Sequence, residues 1–85
     1  MDKNGIQIGA AVKALAGRDT DKDGIYVVVD IDDDFIYIAN GRRRKIQHPK
    51  RKNPRHIEPT GQVFSKEEIT TNRLIRQSLR QISSL

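Results

Sequence analysis

Between Ile25 and Ala39 the chain is committed to β structure more tightly than anywhere else. Ile25, Val27, Val29 and Ile31 alternate with Tyr26, Val28 and Asp30, and most of these residues are β-branched. Branching at Cβ restricts χ1 and favours a pleated ladder over a helix. Asp32-Asp33-Asp34 then forms a tight turn, and Phe35-Ile36-Tyr37-Ile38-Ala39 is a second run, stopped by the hairpin dipeptide Asn40-Gly41. Two antiparallel strands are expected there. In this register Tyr26 and Tyr37 fall on the face opposite the Ile/Val alternation.

The flanks extend the pattern. Ile6, Ile8, Ala10, Val12 and Ala14 alternate with Gln7, Gly9, Ala11 and Lys13, which predicts an earlier strand. A helix over residues 10–17 competes on propensity, but the alternation covers more of the segment. Gly17 to Gly24 is polar and reads as a loop. Arg42 to Gln47 is available as a fourth strand with Ile46 inward. Pro49 and Pro54 keep the following residues out of a sheet interior, so they are expected as an exposed loop. His56-Ile57-Glu58 forms a short fifth strand closed by Pro59-Thr60-Gly61. Several short strands within 60 residues predict a mainly β fold, a small barrel that removes open sheet edges.

Ser65-Lys66-Glu67-Glu68 has the spacing of a capping box and opens a helix predicted to run to about Ser83. Leu74, Ile75, Ser78, Leu79 and Ile82 share one side of it, and Lys66, Arg73, Arg76 and Arg80 the other. Its apolar side is suited to the barrel or to a partner.

Charge is unevenly placed along the 85 residues, which carry a net charge of +5. Residues 1–41 hold four basic and eight acidic side chains, and residues 57–85 hold four and three. The excess lies in residues 42–56, where Arg42, Arg43, Arg44, Lys45, Lys50, Arg51, Lys52 and Arg55 meet no acid. Such a block is an electrostatic footprint for polyanions; a solvated loop or the partner of an acidic protein are the plainer alternatives. The length suits one small domain without a deep catalytic cleft. Cysteine is absent, which removes disulfides, thiolate metal sites and cysteine nucleophiles, and makes an intracellular, cytoplasmic protein the expectation. No stretch approaches the roughly 20 apolar residues of a membrane-spanning helix.

A family resemblance adds to this. Gly9-Ala10-Ala11-Val12-Lys13-Ala14-Leu15-Ala16-Gly17-Arg18-Asp19, followed by Gly24-Ile25-Tyr26-Val27-Val28-Val29, resembles a KOW motif in order and spacing. Ile36-Tyr37-Ile38-Ala39-Asn40-Gly41-Arg42-Arg43-Arg44-Lys45 and Pro49-Lys50-Arg51-Lys52-Asn53-Pro54-Arg55-His56-Ile57 resemble the continuation in large-subunit ribosomal KOW proteins of archaea and eukaryotes, and in the small bacterial KOW-domain RNA-binding proteins related to them. The resemblance covers about residues 6–60. It implies an SH3-like β-barrel over residues 1–60, including the basic loop 42–56, that binds RNA in a ribosomal or ribosome-associated setting. KOW motifs also bind proteins. Residues 61–85, a linker and amphipathic helix, lie outside it.

The chemistry of the residues agrees with RNA. Lys and Arg neutralise phosphates and release counterions, and the Arg fork also binds bidentately or stacks on bases. Arg42, Arg43, Arg44, Lys45, Lys50, Arg51, Lys52 and Arg55 are the expected phosphate contacts, with Arg18 assisting from the Gly-Arg-Asp loop and His48 and His56 adding hydrogen bonds or stacking. Each histidine is equally suited to packing. Few aromatics are present, so contact by shape and phosphate on folded rRNA of the large subunit fits better than reading of single strands. A rival class is a protein-interaction module whose helix docks through Ile75, Leu79 and Ile82 on a ribosomal or transcription factor. Asp19-Thr20-Asp21-Lys22-Asp23-Gly24, with Asp30 at the twelfth position, has half of an EF-hand pattern, but a β-branched strand follows where an exiting helix is needed. No nucleophile is paired with a base, and neither enzymatic activity nor a cofactor or metal is expected.

Overall fold

A computed structural model describes residues 6–14 and 24–83. Five strands, β1 (Ala10–Ala14), β2 (Ile25–Ile31), β3 (Ile36–Ala39), β4 (Lys50–Lys52) and β5 (Ile57–Val63), form one antiparallel sheet in the order β4-β3-β2-β1-β5. β4 and β5 are its edges, and among the described residues no ladder joins them, so the sheet is open. One 3-10 turn (Pro54–His56) links β4 to β5, and another (Lys66–Ile69) precedes a single helix, α1 (Asn72–Ser83). The fold is mainly β with a C-terminal helix.

The sheet is buried on both faces. One core joins Ile6, Ala10, Val12, Tyr26, Val28, Ile36, Ile38 and Ile57, so side chains from β1, β2, β3 and β5 meet on one side. On the other side Ala11, Val27 and Ala39 lie beneath Phe64, Ile69, Ile75 and Leu79. Two of those three sheet residues are alanines, whose short side chains leave room for a helix to approach. Tyr26 does fall on the face opposite Val27, as expected, but that face is interior: Tyr26 is 2% exposed and belongs to the first core. Alternation identifies an outward face only when one side of a strand meets water, and the run Tyr26-Val27-Val28-Val29 is the continuous apolar kind that serves two cores.

β2 spans the residues expected, and Asp32 closes the turn that follows. Its Oδ1 accepts the Asp34 and Phe35 amides at 3.0 and 2.8 Å. The β2–β3 register shifts between Val28 and Asp30, an irregularity that returns Ile31 to the face of Val28. β1 is shorter than its alternation implies. The Ala10 amide bonds to the Gln7 carbonyl at 3.0 Å, and this turn leaves Ile8 37% exposed although Ile6 is core.

β5 runs through Pro59-Thr60-Gly61, which the sequence reading treats as its end. Pro59 lacks an N–H but sits in an edge strand, where that donor is dispensable. Here the register against β1 slips, from Ala10 opposite Val63 to Val12 opposite Pro59. The Thr60 hydroxyl donates to the Ala11 carbonyl at 2.9 Å within this irregularity.

The capping box forms, with the Ser65 amide donating to Glu68 Oε1 at 3.1 Å, yet it opens the short 3-10 turn and not the long helix. α1 restarts behind Thr71, whose Oγ1 accepts the Leu74 amide at 3.1 Å. Ile75 and Leu79 of α1 are buried against the sheet. Ser78, buried beside them, donates its hydroxyl to the Glu68 carbonyl at 3.1 Å. The apolar side offered to an external partner in the rival reading is therefore covered by the protein's own sheet.

Candidate nucleic-acid interface

The basic segment, continuous in sequence, is divided by the fold into a loop, an edge strand and a 3-10 turn. The loop comes first. Asn40 Oδ1 accepts the amides of Arg42 and Arg44 at 2.9 and 3.1 Å, while the Arg44 carbonyl accepts those of Asn40 and Gly41 at 2.8 and 3.0 Å. These bonds use up backbone groups that a ladder needs, so Arg42 to Gln47 is not the expected strand. A second turn follows, closed by the His48 amide on the Lys45 carbonyl at 2.9 Å. Arg42, Arg43, Lys45 and His48 are exposed, and Arg44 is half-buried.

Helix α1 holds this loop at both ends. Asn72 Oδ1 accepts the Ile46 amide at 2.8 Å, and its Nδ2 donates to Gln47 Oε1 at 2.9 Å. One turn on, Arg76 Nη1 donates to the Gly41 carbonyl at 2.7 Å. Contact is close enough that Gly41 (φ 77°) has no room for a side chain: a Cβ there would lie 2.5 Å from the Asn72 carbonyl oxygen. Arg76 is thus not on the solvent side expected from the helical wheel, whereas Arg73 is exposed. The sequence signal for this was available only as a pattern, an Asn-x-x-x-Arg spacing that places both side chains on one helical face.

β4 carries the next three basic residues. Lys50 pairs with Ile38, Arg51 with Tyr37 and Lys52 with Ile36, which corrects the expectation of an exposed loop there: Pro49 lies just outside the strand and takes no donor from it. Lys50 and Lys52 follow the face of the core isoleucines, and Lys52 is only 8% exposed. Arg51 sits on the other face with its guanidinium 4.7 Å from the Phe35 ring centroid. Arg55 and His56 are exposed on the 3-10 turn, whose first amide, Arg55 N–H, is accepted by Asn53 Oδ1 at 2.9 Å. Arg18 and the Asp19–Asp23 part of the calcium-like pattern lie outside the described residues. Asp30 Oδ1 accepts the neighbouring Ile31 amide, and among the described residues no group of three His, Asp or Glu side chains is placed to hold a metal ion.

The opposite end of β3 has different electrostatics. Asp30, Asp32, Asp33 and Asp34 are all exposed around the β2–β3 turn. The Tyr37 hydroxyl donates to Asp32 Oδ2 at 2.6 Å, and that bond to a carboxylate, with some desolvation, raises its pKa above the ordinary 10 while Arg51 opposes the shift. Tyr37 is therefore engaged with an acid, and Tyr26 is interior. No helix among the described residues is long and apolar enough to cross a membrane. Comparison with known proteins adds no name to this arrangement: no family model matches the chain, and no curated protein matches it.

Proposed function

We propose that the protein is a non-catalytic RNA-binding protein of the SH3-like, KOW type. It binds structured rRNA of the large subunit, in the cytoplasm, as a ribosomal or ribosome-associated component. The observation that carries this reading is the loop 42–45, four consecutive cations on a backbone fixed by Asn40 from within and by Asn72 and Arg76 from the helix. A row of guanidinium and ammonium groups carried on a held backbone suits a phosphate backbone, because little loop freedom is lost on contact. The positive end of the α1 dipole lies against the same loop and adds to the field. The scarcity of aromatic residues favours phosphate and shape contact over stacking on single strands. The barrel reading is supported by a meander whose fifth strand returns beside the first and whose inner core draws on β1, β2, β3 and β5.

Within the segment the roles differ. Arg42, Arg43 and Lys45 are the principal contacts, with Arg44, His48, Arg55, His56 and Arg73 as further candidates, whereas Lys52 is occupied with the fold. Docking on a protein through Ile75, Leu79 and Ile82 would require α1 to leave the sheet. The test is sedimentation of the protein with ribosomal subunits at low and high salt, joined to binding of purified rRNA fragments by wild type and Arg43→Glu. With four phosphates neutralised, log K falls against log salt with a slope of about −3 to −4. Loss from the large subunit only at high salt supports the reading. A flat salt response, or full binding by Arg43→Glu, refutes it.

A further inference from the structure

We infer that Asn72 and Arg76 are positioning residues for RNA, fixing the loop 42–45 in one arrangement and so giving the protein a preference for folded over unstructured RNA. The inference rests on the function proposed above. Its basis is that one helix face binds both ends of the loop. Gly41, before the four cations, gives its carbonyl to Arg76 at 2.7 Å, and Ile46, after them, gives its amide to Asn72 at 2.8 Å. The span between these anchors is four residues, and Asn40 bonds to two of their amides. A short loop fastened at both ends and across its middle has few backbone arrangements left, so the Cα positions from which its cations extend keep nearly fixed spacings.

Fixed spacing has a consequence for ligand choice. A folded RNA also presents phosphates at fixed positions, and two rigid arrays that match associate without ordering either one. A flexible strand adapts to any arrangement of the cations and gains little from a fixed one. Releasing the loop therefore weakens binding of folded RNA more than binding of a flexible strand. The number of phosphates neutralised, and with it the salt slope, stays the same.

The experiment measures Asn72→Ala and Arg76→Lys against an RNA hairpin and an oligouridine of equal length across a salt series. Asn72→Ala keeps every charge, and Arg76→Lys keeps the charge but loses the fork, so neither acts through electrostatics. Amide exchange at Arg44 and Ile46 reports loop order in the free protein, and exchange at Val27 and Ile38 reports the sheet. The expected result is faster exchange confined to the loop, hairpin affinity about tenfold weaker, oligouridine affinity changed less than threefold, and an unchanged slope. Equal loss on both RNAs, a reduced slope, or unchanged hairpin affinity despite a loosened loop overturns the inference and leaves the proposed function standing. Absence of RNA binding by the wild-type protein overturns both.

Discussion

The contact between Gly41 and the start of α1 can be measured against a built-in control. Gly41 and Gly61 both have positive φ, 77° and 92°, so alanine at either position is strained by about 1–2 kcal/mol. At Gly61 a new Cβ meets nothing within 4 Å, so that variant reports strain alone. At Gly41 the Cβ falls 2.5 Å from the Asn72 carbonyl oxygen and 2.9 Å from Arg76 Cγ. The Arg76 side chain can yield, but the carbonyl belongs to helix backbone and has to move by about half an ångström or more. Forcing a methyl into packed structure adds about 1–3 kcal/mol, so Gly41→Ala should lose about 2–5 kcal/mol and Gly61→Ala about 1–2. A domain of this size has a total of about 4–13 kcal/mol to lose. Urea denaturation gives the two differences. Exchange of the Ile46 amide, which donates to Asn72, should quicken in Gly41→Ala and stay unchanged in Gly61→Ala. Equal destabilisation of the two variants would show that the helix does not press on the loop.

Three other outcomes follow from the same geometry. Ile75→Ala empties a fully buried position between helix and sheet and should cost about 2–4 kcal/mol in denaturant titrations, whereas Leu74→Ala, half-buried, should cost about 1 kcal/mol or less. Asp32→Asn removes the carboxylate that raises the Tyr37 pKa, so the Tyr37 ring titration followed by NMR should move down toward 10. Because the folded value lies above the unfolded one, the wild-type contribution is complete below about pH 10 and is lost as pH rises through the folded value; the stability gap between wild type and Asp32→Asn should close over that range. Arg51→Glu, which loses the contact with Phe35, should lower stability measurably yet weaken RNA binding less than Arg43→Glu does, as read by parallel melts and binding titrations.

Local chemistry was legible in the sequence, and layering was not. β2 stands on the residues its alternation marks, β3 lacks only Phe35, and the aspartate turn between them follows from Asx bonding that needs no distant partner. Ser65 and Glu68 meet as their spacing predicts. What failed depended on what lies above or beside a strand. Tyr26 looks outward only if water covers that face, and Ile8 looks inward only if no turn intervenes at Gly9. The basic residues show the same division: exposure of Arg42 and Arg43 was readable from their charge, but burial of Lys52 depends on the ladder with Ile36. The role of Arg76 depends on a carbonyl 35 residues away.

β4 also bears on how the sheet edge meets a second copy of the chain. An unpaired strand edge is a template on which another chain can add a strand, and this sheet ends on one side in Lys50-Arg51-Lys52. Lys50 and Arg51 repel an identical strand approaching that edge, while Pro59 and the register slip interrupt the other edge along β5. Part of the positive charge therefore guards against self-association and is needed whether or not RNA is bound. Replacing Lys50 and Arg51 by threonine would leave the loop intact and still produce aggregates at high concentration, an effect that a binding assay alone would mistake for lost RNA affinity.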